Sequence, residues 1–478
     1  MRIFLIFIIK FSLFLCQNRK NDENPENIHF VFEHFRHGAR APTSFYNNAD
    51  LFGHKWDIGV GELSENGYKQ EYLIGLRNKI RYNKFIDLNY DPKEILIYST
   101  NVNRTISSAQ SQLMALFGDK NYSVNSIIGT NAQPPINISE KIIESENYLN
   151  NLPVPIHIYE DVNKKGKIVS EKIMDYDRDV NCPKIISYRN ENIESEYSKN
   201  YIENFSKKYE RIFDEFNITF MKLNSFKGSH KFCDAYISNY FENNSDVLDK
   251  IKNLNYDLDT ILNDCYDYEN FKQKFIEQGE KADFTGIITH SITMRKVLNW
   301  MDLRIKINDN KKNDYSAPKF VMYSGHDTTL VSLQNYLFQS LNIEIEYTPY
   351  ASNMFFELRK YENEFYVEYY FNEKLKYNET YSNFKNKILK INWNDEKIDD
   401  FCIGYSKEEI WIIVLMCIVI SLAIMCVALM LFFCRYNKKY EFVEVVDANG
   451  NTVIDEVRDE DGAVYADYKL IVEKVNGK

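Results

Sequence analysis

The chain has no concentration of positive charge. Its 478 residues include 58 Lys and Arg against 69 Asp and Glu, which gives a formal net charge of −11. Proteins that bind nucleic acid neutralise its phosphates with a basic stripe, and this sequence has none. The composition therefore argues against a nucleic-acid partner. The acidity itself bears on solubility and not on the fold.

Linker-like sequence is also missing. Pro is scarce, with 10 residues, no Pro- or Ser-rich stretch divides the chain, and no internal repeat is visible. Residues 18–405 exceed the usual size of one domain, so we interpret them as one core that carries an insertion. We assign residues 18–181 and 282–405 to the two parts of the core and residues 182–281 to the insertion.

Cysteine is infrequent, with eight residues in the chain. Four of them lie between two apolar ends: Cys182, Cys233, Cys265 and Cys402. An even number in an oxidising compartment predicts two disulfides, with three possible pairings. A Cys233–Cys265 bond would close the insertion. A Cys182–Cys402 bond would tie its start to the end of the lumenal part, but the residues alone leave the pairing open.

Long apolar runs occur at the two ends of this region. Residues 1–17 have the charged start and apolar length of a secretory signal peptide and are too short to span a bilayer. Residues 410–434 are long and apolar enough to form a single C-terminal transmembrane helix. The less favoured alternative for residues 1–17 is a buried strand, and that for residues 410–434 is a buried core helix. The basic residues at 435–439 place the C-terminal side in the cytoplasm. The sequence thus predicts a single-pass type I membrane protein that faces a lysosomal or vacuolar lumen or the cell exterior.

The predicted cytoplasmic tail, residues 435–478, contains two Tyr-x-x-apolar patterns of the kind used in endocytic sorting. They begin at Tyr440 and Tyr468. We assign sorting first to Tyr468 and Ile471, which would contact sorting adaptors. Tyr is common in this chain, so the patterns are weak, and residues 448–451 between Val-rich stretches favour a small hairpin as an alternative.

Asn-x-Ser/Thr sequons predict a glycoprotein. They occur at Asn103, Asn121, Asn137, Asn204, Asn217, Asn243 and Asn378. We discount Asn103 because its neighbour Arg104 is a candidate site residue.

Three short apolar runs, each followed by a polar turn and a helix-like segment, organise the core. They are Ile28–Phe35 before Arg36–Pro42, Ile95–Tyr98 before Ser99–Arg104, and Phe320–Tyr323 before Ser324–Asp327. Helical spacing of apolar residues marks Tyr68–Ile80, Ile106–Phe117, Ile287–Met301 and Leu330–Leu341. This alternation predicts an α/β fold with a largely parallel sheet and helices on both faces. We expect a late hairpin of residues 355–358 and 365–371 at an edge, and a mostly α-helical cap in the insertion.

Ligands of such sheets bind outside the carboxyl ends of the strands, where all three polar turns fall. The guanidinium groups of Arg36, Arg40 and Arg104 suit phosphoryl oxygens, and His326 would donate another hydrogen bond. A histidine between arginines is poorly suited to hold a metal cation. His37 is therefore predicted to attack a phosphoryl group as a nucleophile.

The other chemical requirements follow from this assignment. The arginines lower the pKa of His37 and favour its unprotonated form, and Gly38 lets the backbone turn tightly beside it. The leaving alcohol needs a proton, and Asp327 is the nearest carboxyl in the pattern. Beside a phosphate its pKa should rise, so that it acts as acid and then as base for water. An acidic pH optimum follows. Because the clustered arginines disfavour a metal cation, we expect the reaction to need no metal or other cofactor.

These motifs resemble those of the histidine acid phosphatases. Arg-His-Gly-x-Arg-x-Pro, Ser-Thr-x-x-x-Arg-Thr and Tyr-Ser-x-His-Asp-Thr-Thr are all intact, and within that family the chain looks most like the membrane-bound lysosomal and prostatic type. The resemblance covers roughly residues 27–380. It implies a phosphoglycerate-mutase-like α/β core with a helical cap, a phosphohistidine on His37 and Asp327 as proton donor. It also implies phosphate binding by Arg36, Arg40, Arg104 and His326. The chain departs from animal members in its long polar middle and in having only four lumenal cysteines.

We therefore predict an acid phosphomonoesterase for small phosphate monoesters, with a homodimer left open. One alternative is a phytase- or lipid-phosphate-selective phosphatase of the same fold, which a dense Lys and Arg cluster on the cap would favour. Another is a catalytically silent surface glycoprotein, against which the intact motifs argue. A metallohydrolase using His326 and Asp327 is disfavoured by the clustered arginines.

Overall fold

The computed structural model describes these residues of the chain: 27–88, 90–118, 121–123, 148–150, 154–158, 160–162, 168–170, 182–218, 222–276, 284–310, 317–403, 407–438, 441–446 and 452–458. The strands are β1 (Ile28–Arg36), β2 (Ile95–Ser99), β3 (Asn121–Ser123), β4 (Tyr148–Asn150), β5 (His157–Ile158), β6 (Glu160–Val162), β7 (Ile168–Ser170), β8 (Phe320–Gly325), β9 (Asn353–Tyr361), β10 (Glu364–Phe371), β11 (Lys374–Thr380), β12 (Glu441–Val446) and β13 (Thr452–Arg458). The helices are α1 (Glu65–Tyr82), α2 (Asn103–Phe117), α3 (Pro183–Glu194), α4 (Glu196–Glu215), α5 (Phe226–Glu242), α6 (Ser245–Asn253), α7 (Leu258–Phe271), α8 (Phe284–Asn310), α9 (Asp327–Leu341), α10 (Tyr381–Ile391), α11 (Asp395–Ile403) and α12 (Lys407–Lys438). A π-helical turn, Lys272–Ile276, follows α7. The chain divides into two units between Ile403 and Gly404.

The central sheet of the first unit is mixed. Its strand order is β11-β10-β9-β1-β8-β2-β5. Strands β1, β8, β2 and β5 pair in parallel, whereas the pairs β1–β9, β9–β10 and β10–β11 are antiparallel. The prediction of a largely parallel sheet is therefore corrected to a mixed one.

The predicted late hairpin forms as β9 and β10, but it does not lie at the edge. Strand β9 pairs directly with β1, and β11 forms the edge. Strand β9 lies inside the sheet because its first seven residues are buried, and at an edge this largely apolar surface would be exposed. The weakly buried β11 suits the edge better.

Alternating side chains of β1 pack against helices on the two opposite faces of the sheet. Phe30 and Phe32 pack in a cluster with residues of α8, α9 and α10, and Val31 and Phe35 pack in a second cluster with residues of α1 and α2. Side chains of a strand alternate between faces, so this single segment supports both layers. Each fully buried Phe contributes about 1.5–3 kcal/mol of transfer free energy. The predicted helices on both faces are present.

The insertion is mostly helical in the part that the structure describes. Helices α4–α7 pack around an aromatic cluster in which Phe232, Tyr209 and Tyr268 are fully buried, and Ile185 of α3 packs in a separate cluster with residues of α11. Cys233 on α5 is bonded to Cys265 on α7, and Cys182 before α3 is bonded to Cys402 on α11. The two predicted disulfides are thus present, with the pairing that the residues alone left open.

The second unit contains helix α12 and the two-stranded sheet of β12 and β13. Within α12, Trp411–Phe433 has a mean hydropathy of 3.2 over its most apolar window. It is long and apolar enough to cross a membrane. Strands β12 and β13 pair antiparallel, and the turn predicted at residues 448–451 lies outside the described residues. The predicted signal peptide at residues 1–17, and Tyr440, Tyr468 and Ile471 in the tail, lie outside the described residues.

Candidate active site

The three predicted motifs meet at one edge of the sheet. Strands β1, β8 and β2 are adjacent and parallel, and their registers align Arg36 with Gly325 and Ser99 with Ser324. The polar turns after these strands therefore lie side by side. Helices α2 and α9 begin at the same edge, and their N-termini carry partial positive charge that favours an anion.

His37 is fixed by three hydrogen bonds. Its backbone N–H donates to the Gly325 carbonyl (3.1 Å), and its own carbonyl accepts from the Ala351 N–H (3.1 Å). The ring Nδ1 lies 2.8 Å from the Gly38 carbonyl oxygen, so Nδ1 carries the proton and donates it. Burial, and next the charges of Arg36 and Arg104, hold the pKa of His37 well below its ordinary value. The neutral ring therefore has its lone pair on Nε2.

Gly38 is required for close packing. A Cβ at this position would lie 2.4 Å from the Gly67 carbonyl oxygen, so any side chain would push the turn after β1 away from helix α1. Its φ is outside the left-handed region. The sequence prediction thus named the right residue, but close approach to α1 explains it and an unusual turn does not.

Arg36 lies at the centre of the charged groups. Its guanidinium donates to the Thr348 carbonyl (2.6 Å), forms an ion pair with Asp327 (3.2 Å between Nη2 and Oδ2), and stacks over the Tyr350 ring at 4.4 Å. The side chain is buried. These contacts leave its Nε–H without a hydrogen-bond acceptor among the described residues.

Arg40 is held by the cap. Its Nη2 donates to Asp234 Oδ1 on helix α5 (2.7 Å), and the other carboxylate oxygen accepts from both the N–H and the hydroxyl of Thr43 (2.7 Å each). Burial would raise the pKa of Asp234, but Arg40 outweighs it and holds that pKa far below its ordinary value. Asp234 is therefore an anionic clamp that joins the cap to the segment 40–43, which follows β1.

Arg104 and His326 contact each other. Arg104 Nη2 lies 3.3 Å from His326 Nδ1. Because guanidinium groups only donate, Nδ1 must be the acceptor and the neutral ring must carry its proton on Nε2. Burial, and next the charge of Arg104, lower the pKa of His326 to about 3. Burial and the charge of Arg40 lower the pKa of Arg104 to about 10.

Two threonines fix this tautomer of His326. His326 Nε2 lies 3.0 Å from Thr100 Oγ1, which lies 2.8 Å from Thr105 Oγ1. The Thr105 hydroxyl in turn donates to backbone carbonyls, at 2.8 Å for Val102. The chain of donors therefore runs away from the imidazole and leaves the Nδ1 lone pair directed at Arg104.

Asp327 is the first residue of helix α9. Burial would raise its pKa, but the charges of Arg36 and Lys272 outweigh burial and hold the pKa well below its ordinary value. Asp327 is therefore an ionised partner of Arg36. Proton donation by this carboxyl requires a change in that balance.

All six predicted site residues are thus brought together, and the structure adds others that the sequence reasoning missed. Thr100 belongs to the Ser-Thr-x-x-x-Arg-Thr motif, and Tyr350 lies within residues 27–380, over which the family resemblance extends, so a signal for both existed. Asp234 had no sequence signal, because its partner Arg40 is 194 positions away.

Comparisons with known proteins show the family to which the chain belongs. Residues 27–372 match the profile of the histidine phosphatase superfamily (branch 2). The chain is 26% identical to human prostatic acid phosphatase over 72% of this chain and 78% of that protein. It is 24% identical to rat lysosomal acid phosphatase over 76% of this chain and 75% of that protein. The solved structure of the phytase from Citrobacter braakii has a TM-score of 0.51 at 13% identity, and the match covers 77% of this chain and 98% of that one.

The similarity to the phytase structure shows the fold alone. The family profile spans most of the chain and includes all six predicted site residues. The protein is accordingly a phosphoric monoester hydrolase, and it belongs to the histidine phosphatase superfamily, branch 2.

Proposed function

We propose that this protein hydrolyses phosphate monoesters in an acidic compartment through a covalent phosphohistidine on His37. The observation that carries the proposal is that arginine N–H groups near the His37 Nε2 lone pair have no hydrogen-bond acceptor among the described residues. The Nε–H groups of Arg36, Arg40 and Arg104 are buried without an acceptor among the described residues, and buried donors are rarely left so. A phosphoryl group bound against His37 Nε2 would supply acceptors to all three.

The reaction has two steps. In the first, His37 Nε2 attacks phosphorus, a P–N bond forms, the ester P–O bond breaks, and Asp327 gives its proton to the leaving alkoxide. In the second, Asp327 accepts a proton from water, the water oxygen attacks phosphorus, and the P–N bond breaks. The arginines stabilise the charge on the non-bridging oxygens throughout.

The ion pair of Asp327 explains why an acidic medium suits this chemistry. A bound phosphate competes with Asp327 for the Arg36 guanidinium, and its negative charge opposes ionisation of the carboxyl. Substrate binding therefore raises the pKa of Asp327 from its depressed value. Low pH then keeps the carboxyl protonated for the first step.

His326 changes its role in the same way. Without phosphate its Nδ1 accepts from Arg104. A bound phosphate draws Arg104 toward its oxygens and favours a proton on Nδ1, so that the imidazolium donates to the phosphoryl group. The Thr100 hydroxyl remains the acceptor for Nε2–H in both states.

Other functions are less well supported. Asp327 pairs with Arg36 and His326 contacts Arg104, so a metal cation held by these two residues would lie against guanidinium charges. The likeness to the phytase structure concerns the fold and does not favour inositol phosphates over other monoesters.

We also propose a cellular setting. Residues 1–17 act as a signal peptide, 410–434 span the membrane, and 435–478 lie in the cytoplasm with Tyr468 and Ile471 available to sorting adaptors. The glycosylated part, with its core at 18–181 and 282–405 and its cap at 182–281, faces a lysosomal lumen or the cell surface. Support comes from the apolar stretch Trp411–Phe433 and from the similarity to lysosomal acid phosphatase.

The test is p-nitrophenyl phosphate hydrolysis by the full-length protein across pH. We expect His37→Ala to lower kcat by about 10³-fold or more, as for removal of other catalytic nucleophiles. Rapid quenching into alkali should trap a phosphohistidine in the wild type and none in the variant. His54→Ala is the matched control, since His54 pairs with Asp246 and should leave both readings unchanged. Equal activity of His37→Ala and the wild type would refute the assigned nucleophile.

A further inference from the structure

Tyr350 lies among the charged groups of the site, although the two reaction steps give it no role. Its side chain is buried. The guanidinium carbon of Arg36 lies 4.4 Å from the centroid of its ring, and that of Arg40 lies 5.7 Å from it. Both distances are within the range of cation–π attraction. The imidazole centroid of His37 is 5.9 Å away, so one aromatic ring lies beside two arginines and the nucleophile.

The two arginines need such a neighbour because their positive charges repel each other. Arg36 has Asp327 as its counter-ion, and Arg40 has Asp234, so each carboxylate binds one guanidinium group. The faces of the Tyr350 ring carry negative potential from the π-electrons, which attracts both cations. This attraction is larger at a desolvated ring than at an exposed one.

The backbone around Tyr350 is bound to the turn after β1. The Ser352 carbonyl accepts from the Arg36 N–H at 2.8 Å, and the Ala351 N–H donates to the His37 carbonyl at 3.1 Å. Ala351 has a φ of 58°, in the left-handed region that residues with a Cβ rarely occupy. Strained backbone of this kind persists where its surroundings impose it, and it clusters at functional sites.

The cap supports the ring of Tyr350 from helix α5. The ring of Phe241 packs edge to face against it, with centroids 5.4 Å apart and an interplanar angle of 76°. The Tyr350 hydroxyl lies 3.4 Å from that of Ser238. The same helix binds Arg40 through Asp234. The core and the cap therefore fix the ring together.

We propose that Tyr350 is a positioning residue, whose ring holds the guanidinium groups of Arg36 and Arg40 where phosphate oxygens bind. The inference rests on the proposed function, in which these arginines bind the phosphoryl group. The ring acts through the arginines and does not take part in the proton transfers. Weakening its attraction for the two cations should therefore raise KM, and the inhibition constant of inorganic phosphate, more than it lowers kcat.

The experiment changes the electrons of the ring and keeps its shape, in the full-length protein. Tyr350 is replaced by phenylalanine and then, by stop-codon suppression, by 4-fluoro-, 3,4,5-trifluoro- and pentafluorophenylalanine. Fluorine withdraws π-electrons, so the attraction for a cation falls with each member of the series. The measured quantities are kcat and KM for p-nitrophenyl phosphate and the inhibition constant of inorganic phosphate.

We expect the inhibition constant to rise along this series. Tyr350→Phe should stay within about twofold of the wild type, because the hydroxyl makes only the long contact with Ser238. Pentafluorophenylalanine should raise the constant by about tenfold, the size of a desolvated cation–π contact. Tyr350→Leu, which keeps apolar volume without a ring, should raise it at least as much.

Phe355 is the matched control position. It is a buried ring with an arginine over it, since the Arg77 guanidinium carbon lies 4.5 Å from its centroid. Arg77 pairs with Glu373 and has no place in phosphate binding. Pentafluorophenylalanine at position 355 should therefore leave the inhibition constant of phosphate unchanged, whatever it does to the melting temperature.

Two results would overturn the inference. An inhibition constant that stays level along the fluorinated series would show that the ring only fills space, and an equal rise at position 355 would show a general effect of fluorine on the fold. Either result, with p-nitrophenyl phosphate hydrolysed by the wild type and not by His37→Ala, leaves the proposed function intact. An inactive wild type, or full activity of His37→Ala, refutes the proposed function and the inference with it.

Discussion

The side chains of the core that meet at the candidate site, which we call the floor, differ from the cap above them in how their charges are balanced. On the floor, Arg36 forms an ion pair with Asp327, a carboxylate of the core, while Arg104 contacts His326. On the cap, carboxylates match the cations, with Glu269 beside Lys272 and Asp234 reaching down to Arg40. The floor therefore has an excess of positive charge, which a bound phosphate would neutralise. The cap supplies counter-charge that holds the floor in position.

The pKa values follow this difference. On the floor, burial and neighbouring cations lower the pKa of His326 to about 3 and that of Arg104 to about 10. On the cap, burial raises the pKa of Glu269, but His230 and Lys272 outweigh it and the net shift is downward. Strongly perturbed groups in a cleft mark functional sites. We therefore expect the chemistry to take place on the floor, with the cap holding Arg40 in position through Asp234.

The largest effect should come from removing the carboxyl of the floor. Asp327→Asn cannot protonate a leaving group, so kcat for glycerol 2-phosphate should fall by about 10³-fold, within the range of general acid catalysis. p-Nitrophenolate leaves without a proton, so its release should suffer much less. Steady-state kinetics on both substrates measure the difference. An equal loss on the two would mean that Asp327 acts through Arg36 and not as an acid.

A smaller effect is expected from the counter-charge that the cap supplies. Asp234→Asn leaves Arg40 buried without a charged partner, which should lower the free energy of unfolding by about 3 kcal/mol. Arg40 also loses its anchor for phosphate, so KM should rise more than kcat falls. Thermal denaturation and steady-state kinetics measure the two effects. Asp246→Asn, at a cap carboxylate whose side chain is largely exposed, is the control, and an unchanged KM in Asp234→Asn would contradict the clamp.

The smallest effect concerns the pH dependence of stability. His326 has a folded-state pKa of about 3 against 6.5 when unfolded, so between these values the unfolded chain binds more protons. The contribution of His326 is therefore complete above pH 6.5 and is lost as the pH falls, by about 1.4 kcal/mol per unit. His326→Gln should weaken the fall in melting temperature between pH 6.5 and 5. Inorganic phosphate should weaken it in the wild type as well, because it stabilises the protonated ring. Identical slopes in variant and wild type would contradict the assignment.

The floor was predictable because its residues follow apolar strands in short local motifs. Parallel strands end at a common edge, so the turns at Arg36, Arg104 and His326 had to meet once the strands were identified. Strand β9 was misplaced because nothing in an apolar run tells which neighbour it will pair with. Its position beside β1 was decided by burial on both faces of the sheet.

The sequence by itself determined the α/β character, the helical cap, the even set of cysteines and the residues of the floor, because periodicity and short motifs are properties of neighbouring residues. Only the tertiary structure decided the mixed sheet, the disulfide pairing, the Asp234 clamp on Arg40 and the pairing of Glu269 with His230 and Lys272. These depend on contacts between residues far apart in the chain, whose partners are selected by packing and by the need to pair buried charges.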